Sequence, residues 1–590
     1  MTLSNIKKIA IGVLFFCAVS ISLLTPIRDN DFFWHLATGK WIAEHGELPT
    51  TDPFAYTTSL KAQEDFYRAK ILLSLYWLAN LLQYGVFSFG GYYGIIVLRV
   101  IIILLTLLIL TAHMRKKGLN TISALFLLIP LSLLFSLYKG DRPNQMTYLF
   151  AALFMFLADA LKRGEKKGYL LPLVLLLWAN MHGGFLLGAV IVLSMGVAEL
   201  LRKMFLRGHS LNRKLVTVLL ITLGAGLMNP NGYNVLYSML FESSAYYNAN
   251  VTESITPLTY AGIGHYLPLW MLGIPLVFAG WYFISRLFSR TAGPRETILQ
   301  YCDELMLFLF LAAISFTAIR YIPLFVLVTA PMIAALFSGK FQDIQQKFSR
   351  YFVPELLIIA FLFWWISGTY TSTVLKHPPV DPFFPDDAVQ FIKGKEMKGR
   401  FFNTYDWGGY LMWEFYPEPF VFIDGRGIST QTYSISNAII NAEPGRYGGK
   451  LQYRELLNSY AVRHIITQAV YMTGGIFPIL NALVNDPEWN LVYIGRNSLV
   501  FSRDQIIPAY DKTLSYNLAI ANALEIMGMN PDIPFPYLTV AQANMYLGRP
   551  QSALKVLEDA LQRRPALRGG EVERALKAYR GSGQRPVVGR

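Results

Sequence analysis

Residues 91–112 read GYYGIIVLRVIIILLTLLILTA, and the basic run Arg115-Lys116-Lys117 follows them at once. At 1.5 Å of rise per residue, an apolar run of about twenty residues crosses the hydrocarbon layer of a bilayer. Similar runs recur along the chain. Spans are expected near 9–26, 91–112, 121–138, 146–162, 169–181, 185–201, 215–228, 267–286, 303–319, 322–337 and 353–371. The stretch 71–86 is also apolar but carries Asn80 and Gln83, which suits an interfacial helix or an extra span. Composition agrees: 54% of the 590 residues are hydrophobic and 15% are charged, so lipid is the main solvent of most of the chain.

The net charge of +14 would point to nucleic acid in a soluble protein, but here the basic residues are topology signals set between apolar runs. Lys7 and Lys8, Arg115 to Lys117, Lys162 to Lys167, Arg202 to Lys214, Arg286 to Arg295 and Lys340 to Arg350 alternate with loops poor in lysine and arginine. Cytoplasmic loops retain positive charge, so these clusters are expected inside. The loops beginning at Arg28, Lys139, Met181, Met228, Arg320 and Thr371 are then outside, together with the C-terminal third. The first segment lacks a small-residue cleavage site before Pro26 and Arg28 and is read as a retained helix. Cys17 and Cys302 lie in or beside apolar runs, which argues against a disulfide framework or a thiolate metal site.

The expected organisation is a transmembrane domain over 1–375, whose first outer loop is 27–70, an extracytoplasmic α/β domain over 376–510 and a helical tail over 511–590. In 376–510 charges, prolines and glycines return. Short β-rich runs such as Phe420 to Ile423 and Leu491 to Ile494 alternate there with helical ones such as Pro385 to Lys393. Residues 534–565 match one tetratricopeptide repeat through Tyr537, Val540, Ala541, Leu547, Gly548, Ala553, Leu557, Ala560 and Pro565, with Asn544 departing from the pattern. A single repeat cannot bury its own face, so it is expected to pack on the helix at 513–528 or on the α/β domain, with a frayed end after Arg568.

Chemistry-bearing residues gather at the edges of the outer loops. Arg28-Asp29-Asn30-Asp31-Phe32-Phe33-Trp34-His35 places acids, a histidine and aromatics just after the first span. A carboxylate there suits a general base or a metal ligand, and Trp34 suits a sugar face or a headgroup anchor. Asp31 is the expected base. In an extended loop the two carboxylates would point the same way, but in one helix they would diverge by about 200°, and only one would face a cavity. Asp141 to Gln145, Asn180 to Gly184, Asn229 to Gly232 and Arg320 to Pro323 lie on the same face, where Arg142 and Arg320 suit a phosphate. Taken singly, each is as well explained by a snorkelling arginine or a packed histidine. Their common side implies one cavity. In the α/β domain, Tyr405-Asp406-Trp407-Gly408-Gly409-Tyr410 and Asp424-Gly425-Arg426 suit ligand loops at strand ends, or else tight turns with an internal Asp424–Arg426 pair. Asn250-Val251-Thr252 matches a glycosylation acceptor, but so short a motif carries no weight.

Over about residues 1–510 the chain resembles the GT-C superfamily of polytopic glycosyltransferases, through Asp29 and Asp31 in the first outer loop and a multi-span bundle ending in an outer domain. Asp31 to Gly39, Asn180 to Gly184, Tyr405 to Tyr410 and Phe422 to Arg426 resemble a bacterial branch of membrane glycosyltransferases related to protein mannosyltransferases. Tyr405 to Tyr410 is also similar in place to the Trp-Trp-Asp-Tyr-Gly acceptor motif of oligosaccharyltransferase catalytic subunits, but departs from it at several positions, so an Asn-linked acceptor is not implied.

The resemblance implies a bacterial inner-membrane enzyme that moves a sugar, with inversion, from a polyprenyl-phosphate carrier to an extracytoplasmic glycan, lipid or protein. Asp31 and Asp29 would be catalytic, and Arg142, Arg320, His182, Gln145 and Asn229 would hold the donor phosphate. His35, Trp34, Tyr405, Asp406, Trp407, Asp424 and Arg426 would meet the acceptor, and Asp29, Asp31 and His182 offer ligands for magnesium or manganese. A transporter or flippase of a lipid-linked solute shares the broken helices and buried arginines, and an envelope scaffold would use the tetratricopeptide-like tail for a protein partner.

Overall fold

The computed structural model describes residues 3–59, 66–137, 140–241, 254–262, 266–288, 293–339, 353–418, 420–442, 452–504 and 507–582. Lys139, Asn250 to Thr252, the basic cluster 340–350 and the chain end beyond 582 lie outside the described residues. Two compact units result, Met1–Thr51 with Asp65–Asp381, and Asp52–Glu64 with Pro382–Arg590. The stretch 52–64 of the first outer loop therefore goes with the C-terminal unit.

In the first unit every expected apolar stretch is helical: Leu3–Leu23, Trp77–Lys116, Thr121–Leu137, Asn144–Lys162, Leu171–Ala179, Phe185–Phe205, Arg213–Gly226, Leu267–Leu287, Pro294–Thr317, Ile322–Gly339 and Val353–Thr369. Six helices among the described residues are long and apolar enough to cross a membrane. The stretch 71–86 resolves into the end of a helix at Phe66–Ser74 and the start of Trp77–Lys116. The latter is two helices joined at Gly91, whose φ of 56° and ψ of −151° no other residue adopts cheaply. Asn80 and Gln83 are buried, at 0% and 4% exposure, because each has a polar partner described below. Leu171–Ala179 has nine residues and rises only about 14 Å, roughly half a crossing.

Three of the basic clusters, through Lys117, Lys162 and Arg202, meet at one end of this unit. Lys117 Nζ pairs with Asp159 Oδ1 at 3.1 Å and with Glu304 Oε1 at 3.7 Å, and Arg202 Nη2 reaches Asp303 Oδ1 at 3.0 Å. Lys162 also pairs with Asp303, and Ser338 Oγ donates to the Lys117 carbonyl at 2.7 Å. The expected span 303–319 lies in a longer helix. Its helix begins at Pro294, and Asp303 and Glu304 sit inside it because lysines and an arginine of neighbouring helices neutralise them. At the opposite end the chain leaves the bundle beside the acid loop: Ile27 N–H donates to Pro379 O at 2.8 Å, and Asp381 N–H donates to Ile27 O at 2.9 Å.

The second unit holds a four-stranded sheet, β1 (Arg400–Asn403), β2 (Val462–Gln468), β3 (Asn490–Ile494) and β4 (Ser498–Ser502), in the order β1-β2-β4-β3. β1 runs parallel to β2, and β4 is antiparallel to both neighbours. Phe402, Ile465, Phe501 and Leu491 are fully buried on this sheet. Phe420 to Ile423 is not a strand. Val421 makes one bridge to Ala55, while the Asn403 side chain accepts from Phe422 N at 2.7 Å and donates to Ile423 O at 2.8 Å. A side chain thus satisfies the backbone that a ladder would have paired.

Helix Leu514–Met529 belongs to the sheet's core through Tyr516 and Ala519. Helices Pro534–Tyr546 and Pro550–Arg563 share a second core with Glu571–Ser582, in which Val572 is fully buried and Leu576 nearly so. The chain after Arg568 therefore does not fray as far as residue 582. Its Val572 and Leu576 supply the apolar cover that a lone helix pair lacks.

Candidate functional site

The acid loop is built around one guanidinium. Asp29 caps helix Asn30–His45, its Oδ1 accepting from Asp31 N at 3.1 Å. Because Asp29 stands at the cap and not within the helix, its carboxylate turns toward that of Asp31. Arg142 Nε donates to Asp29 Oδ2 at 2.8 Å, and Nη1 donates to Asp31 Oδ2 at 2.7 Å. The side chains of Asp29, Asp31 and Arg142 are 7%, 23% and 26% exposed, so all three lie at a partly sheltered edge. With Asp29 outside the helix, the divergence expected within one helix does not apply, and both acids meet one cation.

Arg142 is held in place by its neighbours. Asp141 is buried against Arg99 Nη1 at 3.1 Å, Arg99 Nη2 also donates to the Thr25 carbonyl, and Gln83 Nε2 donates to Asp141 O at 2.5 Å. Gly140 leaves room for Asp29: a Cβ there would lie 2.5 Å from Asp29 Oδ2. Arg99 was legible as a lone charge inside the apolar run 91–112, a position at which an arginine must find a partner.

Around this loop the rings form a cluster. His35 stacks on Trp34 with centroids 3.4 Å apart, Tyr76 lies 5.1 Å from His35, and His182 lies 5.5 Å from Tyr76. His35 Nδ1 donates to Asn80 Oδ1 at 2.7 Å. Burial pushes the His35 imidazole well below the usual histidine range, against the pull of the Asn80 hydrogen bond, so the ring is neutral. The charges of Asp31, Arg142 and Arg320 all act on the Tyr76 hydroxyl, which places these residues in one neighbourhood. His35 and Trp34 are buried, at 2% and 5% exposure, and present little surface to an acceptor.

His182 has a defined tautomer. Gly184 N–H donates to its Nδ1 at 2.9 Å, so Nδ1 is the acceptor and the Thr147 hydroxyl donates to it at 2.7 Å. Nε2 then carries the proton. Trp178 Nε1 donates to Thr147 Oγ1 at 3.1 Å and fixes the hydroxyl. Asn180 ties the broken helix to its surroundings, accepting from Trp77 Nε1 at 2.9 Å and donating to Met228 O at 2.8 Å.

Arg320 is exposed, its guanidinium 5.1 Å above the Tyr321 ring. Gln145 is buried in the first turn after Arg142, and Asn229 is occupied in its own turn, donating to Gly226 O and accepting from Asn231 N, each at 3.0 Å.

In the second unit Trp407 is a core residue whose Nε1 donates to Phe383 O at 3.1 Å. Tyr405 and Asp406 are half-buried, the Tyr405 hydroxyl donating to Gly425 O at 3.1 Å, and burial raises the Asp406 carboxyl above the usual range. Arg426 is fully buried between two carboxylates, Asp424 with both nitrogen contacts at 2.7 Å and Asp52 with both at 2.9 Å. Asp52 has no part in any sequence motif, and only the fold brings it to Arg426.

Among the described residues no three His, Cys, Asp or Glu side chains are grouped to hold a metal ion. Asp29 and Asp31 each give an oxygen to Arg142, and His182 Nδ1 takes two donors while Nε2 bears hydrogen. These residues do not fit a divalent ion as they stand.

No protein-family model and no curated protein matches the chain. Solved structures do match. The archaeal oligosaccharyltransferase AglB from Archaeoglobus fulgidus, in complex with an inhibitory peptide and a dolichol-phosphate, aligns with a TM-score of 0.51 at 10% identity over 96% of this chain and 87% of that one. The protein is similar in fold to an oligosaccharyltransferase. The A. fulgidus enzyme in complex with zinc and sulfate gives 0.54 at 11% identity over 96% and 85%, and the form tethered to an acceptor peptide gives 0.50 at 10% over 85% and 74%. At such identities the likeness is one of fold.

Proposed function

We propose that the protein is a GT-C-type glycosyltransferase of a bacterial inner membrane, which moves a sugar from a polyprenyl-phosphate carrier to an acceptor outside the cytoplasm. The observation that carries this reading is the Asp29–Arg142–Asp31 constellation with His182 nearby, at the end of the bundle opposite the basic clusters, in a fold shared with an oligosaccharyltransferase. By the positive-inside rule that end is extracytoplasmic.

Asp31 is assigned as the base that takes the acceptor hydroxyl's proton as the oxygen attacks the anomeric carbon, and Asp29 supports it through the shared guanidinium. The leaving phosphate needs cations and N–H donors more than an acid. Arg320 and the Nε2–H of His182 suit that task, and Gln145, in the turn after Arg142, and Asn229, next to the Met228 carbonyl that Asn180 reaches, are assigned with them. Acceptor recognition is assigned to Tyr405 and Asp406, the half-buried polar residues of their motif, while Asp424 and Arg426 hold the Asp52 segment. The test is transfer from a purified polyprenyl-phosphate sugar by detergent-solubilised protein. Asp31→Asn is expected to abolish it while donor binding survives, and transfer by that variant at the wild-type rate would overturn the assignment.

A further inference from the structure

Two aspartates converging on one point are a usual arrangement for a hard divalent cation, which takes oxygen ligands. Here the point of convergence holds Arg142. Its Nε meets Asp29 Oδ2 at 2.8 Å and its Nη1 meets Asp31 Oδ2 at 2.7 Å, so a single planar group clamps both acids with charge-assisted bonds. Nor is the guanidinium delivered by a loose loop. The preceding residue, Asp141, is locked to Arg99 with both side chains at most 2% exposed, and Gly140 passes so close to Asp29 that a methyl group would press on the carboxylate. A divalent ion placed between the acids would have to displace this cation or sit against it.

We infer that Arg142 is the resident cation of the Asp29–Asp31 pair and that this site takes no divalent metal. That transfer needs no metal rests on the glycosyltransferase reading; the exclusion of the ion does not.

The test is a manganese titration of the full-length protein in detergent after EDTA treatment, followed by the electron paramagnetic resonance of free Mn²⁺. Wild type is expected to show no saturable binding below about 1 mM. Arg142→Gln, which removes the charge, is expected to bind one Mn²⁺ at least about tenfold more tightly, and Asp31→Asn in that background should abolish the gain. Arg142→Lys keeps a cation and should behave as wild type, which covers the case of a Gln variant that does not fold. Saturable binding by wild type that Asp31→Asn removes would overturn the inference, as would a folded Arg142→Gln protein that binds no Mn²⁺. Wild-type transfer should survive EDTA within about twofold, and a loss that Mn²⁺ restores would overturn it too. If no lipid-linked sugar is ever transferred, the function proposed above fails, and the titration still decides where the cation is.

Discussion

Asp31 is separated from Asp29 by one residue, yet the two carboxylates do different work. Asp29 satisfies a helix N-terminus as well as Arg142, so Asp29→Asn keeps the cap and is expected to slow transfer less than Asp31→Asn. On the proposed assignment of Asp31 as base, Asp31→Asn is expected to cost about a hundredfold to ten-thousandfold in rate, read with purified donor at saturation. Gly140 tests the same geometry from the other side. In Gly140→Ala the new methyl would push Asp29 off Arg142, so turnover should fall while the melting temperature in detergent changes little. A Gly140→Ala enzyme with wild-type turnover would show that the clamp is not used in transfer.

Helical elements meet this site by breaking. Leu171–Ala179 stops at Asn180, whose side chain donates to the Leu176 carbonyl that a continuing helix would have bonded through the backbone. Asn180→Ala removes part-buried hydrogen bonds from Trp77 Nε1 and to the Leu176 and Met228 carbonyls, and such a bond contributes about 0.5–1.5 kcal/mol net. The expected outcome is a lower melting temperature in detergent, with His182 released from its place next to Tyr76 and donor affinity weakened. The 71–86 stretch follows the same logic. Asn80 and Gln83 looked anomalous in an apolar run because their partners, His35 and the Asp141 carbonyl, come from elements 45 and 58 residues away.

At the scale of the molecule, polar residues are sorted to two ends of the first unit. Single cysteines at Lys116 and Lys395, placed in a protein lacking Cys17 and Cys302, should label from opposite sides of the membrane in spheroplasts, Lys395 from outside. Labelling of both from one side would sink the topology. The second unit depends on a buried ion triad. Arg426→Ala would strand Asp52 and Asp424 at 4% and 5% exposure, and breaking such a group costs about 3–5 kcal/mol. Proteolysis within residues 52–58 should then become faster, because the Asp52 segment is held to its unit partly through Arg426.

The helical stretches, the basic clusters and the acid loop could be read from the chain because each is local: apolar length and flanking charge act within one segment. The shift to short strands and helices after residue 376 was legible for the same reason. Sequence could not decide what Arg142 faces, since a guanidinium at a helix end suits a phosphate or a carboxylate equally, and only the packing of the Asp141 turn against Arg99 and Gln83 aims it at Asp29 and Asp31. Nor could it assign Asp52 to the second unit, or turn Arg426 from a ligand-binding candidate into the centre of a triad, because that pair is separated by 374 residues. Charge type is written in the sequence, but the partner of each buried charge is set by which elements pack together, where an unpaired ion would cost more than the fold can spare.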